Sequence, residues 1–166
     1  ISFDFVGWLQ NTSNLFSASR SQGKHMNTII QKGDVLELTT SSEVREEDKL
    51  QGDYGNMTLA LLNPRKNAWG TAKVVQDVNY NIGTLTSETK TQVRAKADLG
   101  RVLTGAIGKN ITLGPNRGTT ITYVLSWYYP NVQKIKTGKL KNHENLRNHY
   151  SKLFSSSSDV VEKINK

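Results

Sequence analysis

Fourteen acidic side chains are the first place to look for chemistry in this sequence. Acid–base cleavage of a glycosidic bond needs two carboxyls facing the sugar from opposite sides, roughly 5–9.5 Å apart. Asp53, beside Tyr54 and Gly55, is the one carboxyl set among aromatic and turn residues. No second carboxyl partners it recognisably, and an Asp that ends a loop is the reading preferred over catalysis. His25, His143 and His149 form neither an H-x-H nor an H-E-x-x-H pair, so no metal site is expected. No G-x-S-x-G elbow, P-loop or G-x-G-x-x-G follows a strand pattern. The expected catalytic, cofactor and metal sets are therefore empty.

Aromatic rings are the remaining candidates for ligand contact, because a flat ring suits the apolar face of a pyranose. Trp69 lies between Ala68 and Gly70 in an expected loop, and Tyr54 and Trp8 are the other two candidates. A Trp in an alternating strand is more often core or sheet cover than a sugar platform. Asn11-Thr12-Ser13, Asn56-Met57-Thr58 and Asn110-Ile111-Thr112 match the short N-glycosylation acceptor pattern and are given no function.

Composition bounds the elements that must hold these residues. The 166 residues fit one domain, with 13 Gly, 3 Pro and no Cys, a balance that suits a turn-rich, mainly β fold without disulfides or thiolate metal sites. The net charge is +8, and its distribution narrows its meaning. Lys134, Lys136, Lys139, Lys141, Arg147 and Lys152 face Glu144 alone between residues 131 and 152. This stretch carries no nucleic-acid signature and reads as a solvated link, so nucleic acid is not the expected partner. No apolar run approaches the ~18 residues of a membrane span. The chain starts at Ile1 directly in an apolar alternation, which reads as a piece of something longer.

Ile1, Phe3 and Phe5 share one strand face, and Val6 and Trp8 change phase across Gly7 as a bulge would produce. Asn11 to Lys24 reads as a loop, Val35 to Thr40 as a strand after the turn at Lys32-Gly33-Asp34, and Glu43 to Asp48 as a solvated loop. Met57 to Leu62 is a strand closed by Asn63-Pro64; Val74 to Tyr80 is a weaker candidate and Gln92 to Val102 is ambiguous. Val102 to Ile107 reads as β before a turn at Gly108-Lys109-Asn110. From Thr119 to Trp127 the alternation is unbroken, and Ile121, Tyr123, Leu125 and Trp127 are expected to share a buried face. Leu146, Tyr150, Leu153 and Phe154 then recur at helical spacing behind Asn142 as N-cap, and Asp159 with Glu162 resembles a capping box for a last helix.

The fold class expected is a mainly β antiparallel sandwich, residues 1–130, followed by a basic loop and short C-terminal helices, residues 131–166.

Several segments together resemble the N-terminal domain of the non-lysosomal glucosylceramidase or bile-acid β-glucosidase family, glycoside hydrolase family 116. They are Ile111-Thr-Leu-Gly-Pro115 continuing through Thr122-Tyr-Val-Leu-Ser-Trp-Tyr-Tyr-Pro130, Arg147 to Phe154, Ser2 to Asn11 with its Trp8, and Asp53-Tyr54-Gly55 to Ala60. The resemblance implies an antiparallel sandwich that precedes an (α/α) helical barrel, and that the barrel holds both catalytic carboxyls. It implies that the parent hydrolyses a β-glucoside or related glycoside with retention. The family's acid/base and nucleophile motifs have no counterpart here, so no catalytic residue carries over. The resemblance takes up after the family's first strands, which leaves the completeness of the sandwich open. The partner implied is the catalytic domain of the same parent chain. The alternative is a free-standing module that binds glycan or glycolipid, or adheres to an anionic surface through residues 134 to 152.

Overall fold

A computed structural model describes residues 1–11, 23–64, 68–75, 92–132 and 147–166, with backbone alone for residues 69, 71–75 and 92. Its strands are β1 (Ser2–Asn11), β2 (Gly23–Lys32), β3 (Val35–Val44), β4 (Asn56–Leu62), β5 (Ala68–Val75), β6 (Gln92–Asp98), β7 (Val102–Thr112) and β8 (Thr122–Tyr128). A 3₁₀ turn at His149–Lys152 and helix α1 (Ser157–Ile164) follow. The strands form two antiparallel sheets, one ordered β1-β7-β5 and one ordered β6-β2-β3-β4-β8. The chain is a mainly β sandwich.

The larger sheet turns Ile29, Leu36, Leu38, Leu59 and Leu61 inward, where Ile107 of β7 meets them. Glycines in the smaller sheet make that approach possible. A Cβ on Gly105 would stand 2.4 Å from Leu38 Cδ1, and one on Gly7 would stand 2.8 Å from Leu59 Cδ2 and 2.9 Å from the Tyr123 ring. Two buried amides tie the sheets together. Asn11 Nδ2 of β1 donates to the Ser41 carbonyl at 2.9 Å and to Asn27 Oδ1 at 3.3 Å, while Asn27 Nδ2 donates to the Leu103 carbonyl at 3.1 Å. Each bond crosses from one sheet to the other, so sliding the sheets would strand buried polar groups.

The outer face of the larger sheet is covered by α1. Val161 is fully buried against Val35 and Ala60, with Leu62 and Val124 around it. Beneath the helix runs a line of hydroxyls: Thr39 to Thr58 at 2.9 Å, Thr58 to Ser157 at 2.7 Å, and Ser126 Oγ donating to the Ser157 carbonyl at 2.8 Å. Buried Glu37 accepts from Ser158 Oγ at 2.6 Å and pairs with Lys32 at 3.1 Å. Ser156 is the N-cap, accepting from the Asp159 N–H at 3.1 Å. The helix thus starts three residues before the Asp159 cap expected from sequence.

Several expectations change. The register of β1 on β7 is continuous from Ser2↔Thr112 to Asn11↔Leu103, so Gly7 marks no bulge; its missing side chain makes room for Leu59 and Tyr123 instead. Lys24, assigned to a loop, begins the body of β2, a strand the alternation did not reveal. Gly108-Lys109-Asn110 is no turn but lies inside β7, paired with Val6, Phe5 and Asp4. Gln92–Asp98 resolves as β6, and the chain turns at Gly100 with φ 88°. Ile121, Tyr123, Leu125 and Trp127 share a face, yet Leu125 is 49% and Trp127 59% exposed, while Ser126 and Tyr128 of the opposite face are buried. Within the described part of the Leu146–Phe154 stripe a single 3₁₀ turn forms; Asn142, Leu146, the lysines from Lys134 to Lys141, and most of Val74–Tyr80 lie outside the described residues.

His25 points inward on β2 and is fully buried, and burial pushes its imidazole below the ordinary value of about 6.5. Unfolded, the ring takes its proton near pH 6.5; folded, it resists. Stability from this group is therefore intact above neutrality and declines as pH falls below the unfolded value. His25→Gln should flatten the drop in unfolding midpoint between pH 7.5 and 5.5, and identical slopes in both proteins would refute this origin.

Candidate functional site

Three stretches far apart in sequence meet at the end of β8. Pro130, lacking an N–H, stops the ladder just after Tyr128 and Tyr129. On one side stands Gly55, at the entry to β4, pressed so closely that a Cβ there would lie 2.2 Å from the Tyr128 carbonyl oxygen and 2.5 Å from the Tyr129 ring. On the other side stands the 3₁₀ turn carrying Tyr150. Its hydroxyl accepts from the Tyr129 N–H at 3.1 Å and donates to the Tyr129 carbonyl. Asn148 Nδ2 donates to that same carbonyl at 2.8 Å, and the Asn148 N–H donates to the Pro130 carbonyl at 2.7 Å.

One side chain thus satisfies both backbone groups of a residue that has left the sheet, the work a neighbouring strand would otherwise do. The Tyr150 ring stands edge-on to Tyr128 at 5.9 Å, and Arg147 reaches the Tyr128 hydroxyl at 3.4 Å. Asn131 bridges to Arg147 through the backbone and donates through its amide to the carbonyls of Lys49 and Gln51 at 2.7 and 2.9 Å. The result is a tyrosine-lined corner whose parts are locked by directed bonds.

Asp53 sits at this corner, and burial pushes its carboxyl above the ordinary carboxylate value, with a backbone hydrogen bond opposing. Its Oδ1 is buried without a hydrogen-bond partner among the described residues. Burial likewise raises the Tyr129 phenol, helped by the nearby Tyr150 and Asp53 charges. The unfolded carboxyl ionises first as pH rises, so the folded state loses stability through the window between the ordinary and raised values, and the full penalty stands at neutrality. Asp53→Asn should therefore unfold at higher urea than the parent at pH 7, with the advantage shrinking toward pH 3.5. An advantage independent of pH would point to packing rather than charge.

The three aromatic candidates do not converge. Trp8 is 42% exposed on the outer face of β1, whereas Tyr54 is half-buried in the loop that enters β4 of the other sheet. Trp69 lies in β5 opposite Gly108 rather than in a loop, and its ring lies outside the described residues. Asn131 and Asn148, which hold the corner, carried no local signal. Only the Asp53-Tyr54-Gly55, Tyr128-Tyr129-Pro130 and Arg147-to-Tyr150 segments marked the place.

Among the described residues no group of three or more His, Asp or Glu side chains is placed to hold a metal ion. A family model described as beta-glucosidase 2, glycosyl-hydrolase family 116 N-term, matches residues 1–166. The chain belongs to that family. No curated protein and no solved structure is similar enough to establish a closer relationship. As a family 116 N-terminal domain, the chain brings the segments that carry the resemblance into structural use. Asn11 bridges the sheets, Gly55 admits the Tyr128 carbonyl, and Tyr150 fastens Tyr129. No helix among the described residues is long and apolar enough to cross a membrane.

Proposed function

We propose that this chain is the non-catalytic supporting domain of a family 116 glycoside hydrolase, with residues 1–130 as the sandwich and 131–166 as the link to a helical-barrel catalytic domain. The observation that carries this reading is the Tyr150–Tyr129 clamp, which returns the chain to the sandwich before α1. Whatever follows α1 departs from a fixed point and in a fixed direction. In this reading the barrel supplies both carboxyls and cleaves a β-glucoside or related glycoside with retention, while the sandwich holds it in orientation.

Two measurements test the proposal. The 166-residue chain alone should leave an aryl β-glucoside unhydrolysed, and turnover that depends on one of its carboxyls would overturn the assignment. In the intact enzyme, Tyr150→Phe should lower the temperature at which activity is lost while leaving the pH profile of kcat unchanged. A shifted pH profile would place Tyr150 in the chemistry instead.

The alternative, a free-standing module binding glycan or glycolipid, has the exposed Trp8 ring in its favour. Titration of the chain with glucans and glucosylated lipids distinguishes the two. Saturable binding lost in Trp8→Ala would favour the module.

A further inference from the structure

The two sheets close on one flank and stand open on the other. At the closed flank β5 lies against β6. At the open flank the smaller sheet ends with β1 packed over β3 and β4, while the larger sheet continues for one more strand, β8. Three inward-pointing side chains are left without cover there: Phe5 at 44% exposure, and Leu125 and Trp127.

The edge of β1 beside this shelf can be read bond by bond. Ile1 and Leu113 exchange both backbone hydrogen bonds, at 3.2 and 3.0 Å. Hydrogen-bonded pairs alternate with non-bonded pairs along an antiparallel ladder. The odd residues of β1 are therefore spent on β7, and the N–H and C=O groups of Ser2, Asp4, Val6, Trp8 and Gln10 point away from it. Among the described residues β1 pairs with β7 alone. Exposed edges in stable proteins are ordinarily blunted by Lys, Pro or a bulge. β1 has no Lys and no Pro, keeps an unbroken register, and carries Asp4 as its single charge in a chain of net charge +8.

We propose that the open edge of β1 is a strand-addition site, filled by a single uncharged, extended polypeptide segment supplied from outside these 166 residues. Such a strand would bond to the even residues of β1, add a fourth strand to the smaller sheet, and rest alternate apolar side chains on Leu125 and Trp127. Strands in a sheet lie about 4.8 Å apart and packed sheets about 10 Å apart, so one strand fits the shelf that β8 provides. A second folded copy does not fit. Its own β8 projects past its β1, and edge-to-edge pairing would drive that strand into the larger sheet of the first copy. This site is independent of the supporting role proposed above, since it concerns the opposite edge of the sandwich from α1.

The test is selection from a library of end-blocked ten-residue peptides that alternate Val, Ile or Phe with Thr, Ser or Gln. Selected peptides should produce a saturable blue shift in Trp fluorescence that is largely missing in Trp127→Phe. Val6→Pro removes an N–H that faces the open edge, not β7, so its fold should persist; it should weaken binding by roughly tenfold or more. Trp127→Ser, at an exposed position, gives a second folded variant with weakened binding, and N-methylating alternate amides of the peptide should abolish the signal. Recovery of no binder, or binding unchanged in both variants, would overturn the proposal. Concentration-dependent dimerisation that Val6→Pro abolishes would also overturn it, by placing a second copy at the edge.

Discussion

Leu38→Ala should lower stability by about 2–5 kcal/mol, whereas Trp127→Ala should cost less than about 1 kcal/mol, although Trp is the larger side chain. Leu38 is 0% exposed at the centre of the larger sheet, between Ile29 of β2 and Leu59 of β4 in register. Gly105 of the opposite sheet comes so near that no Cβ could stand between them. Truncating Leu38 opens a cavity that backbone on both sides prevents from closing, and the lost contacts add to the lost transfer energy. Trp127 has the same parity on β8 but no strand above it. Its ring keeps 59% of its accessible surface, so removal forfeits little burial and leaves no hole. Urea unfolding of both variants at neutral pH settles the comparison. Equal costs would mean that β8 is covered in solution.

That contrast also shows what was legible in the sequence. Alternation names a face, and Ile121, Tyr123, Leu125 and Trp127 do share one. How much of the face is buried depends on the reach of the other sheet, three strands against five, which no local pattern encodes. The missing β2 has a related cause. Its inward residues include His25 and Asn27, both buried, so the strand shows polar side chains where the period-2 pattern needs apolar ones. Their burial is affordable only because partners come from other strands, as Asn11 and Leu103 do for Asn27. Gly7 and Gly108 were misread for the opposite reason. Glycine is a local signal for a bulge or a turn, yet Gly7 serves close approach between sheets and Gly108 sits within an ordinary ladder. The candidate site was legible as three marked segments and not as an assembly, since the Tyr150–Tyr129 bonds span residues that only the finished sandwich brings within reach.

Gly55→Ala should destabilise the chain by roughly 2–3 kcal/mol, a large effect for a single methyl group. The cause is space, not backbone conformation, because Gly55 is not among the residues with positive φ. Its Cβ would stand 2.2 Å from the Tyr128 carbonyl oxygen and 3.0 Å from the carbonyl carbon. Something must move, and both sides are held. Asn56 and Tyr128 are paired in the β4–β8 ladder, while the Tyr129 N–H and carbonyl are bonded to Tyr150 and Asn148. If this clamp is what prevents relief, the cost of the methyl depends on it. Tyr150→Phe removes the hydroxyl that bonds both backbone groups and should free the strand end to swing away. Gly55→Ala should then cost less in the Tyr150→Phe background than in the parent, a coupling of about 0.5–2 kcal/mol in a double-mutant cycle. Additive costs would show that Gly55 presses on the β8 ladder alone and that the tyrosine corner yields independently. A neutral Gly55→Ala would mean that the corner is looser than its contacts indicate, and that the exit of the chain toward α1 is held by α1 itself.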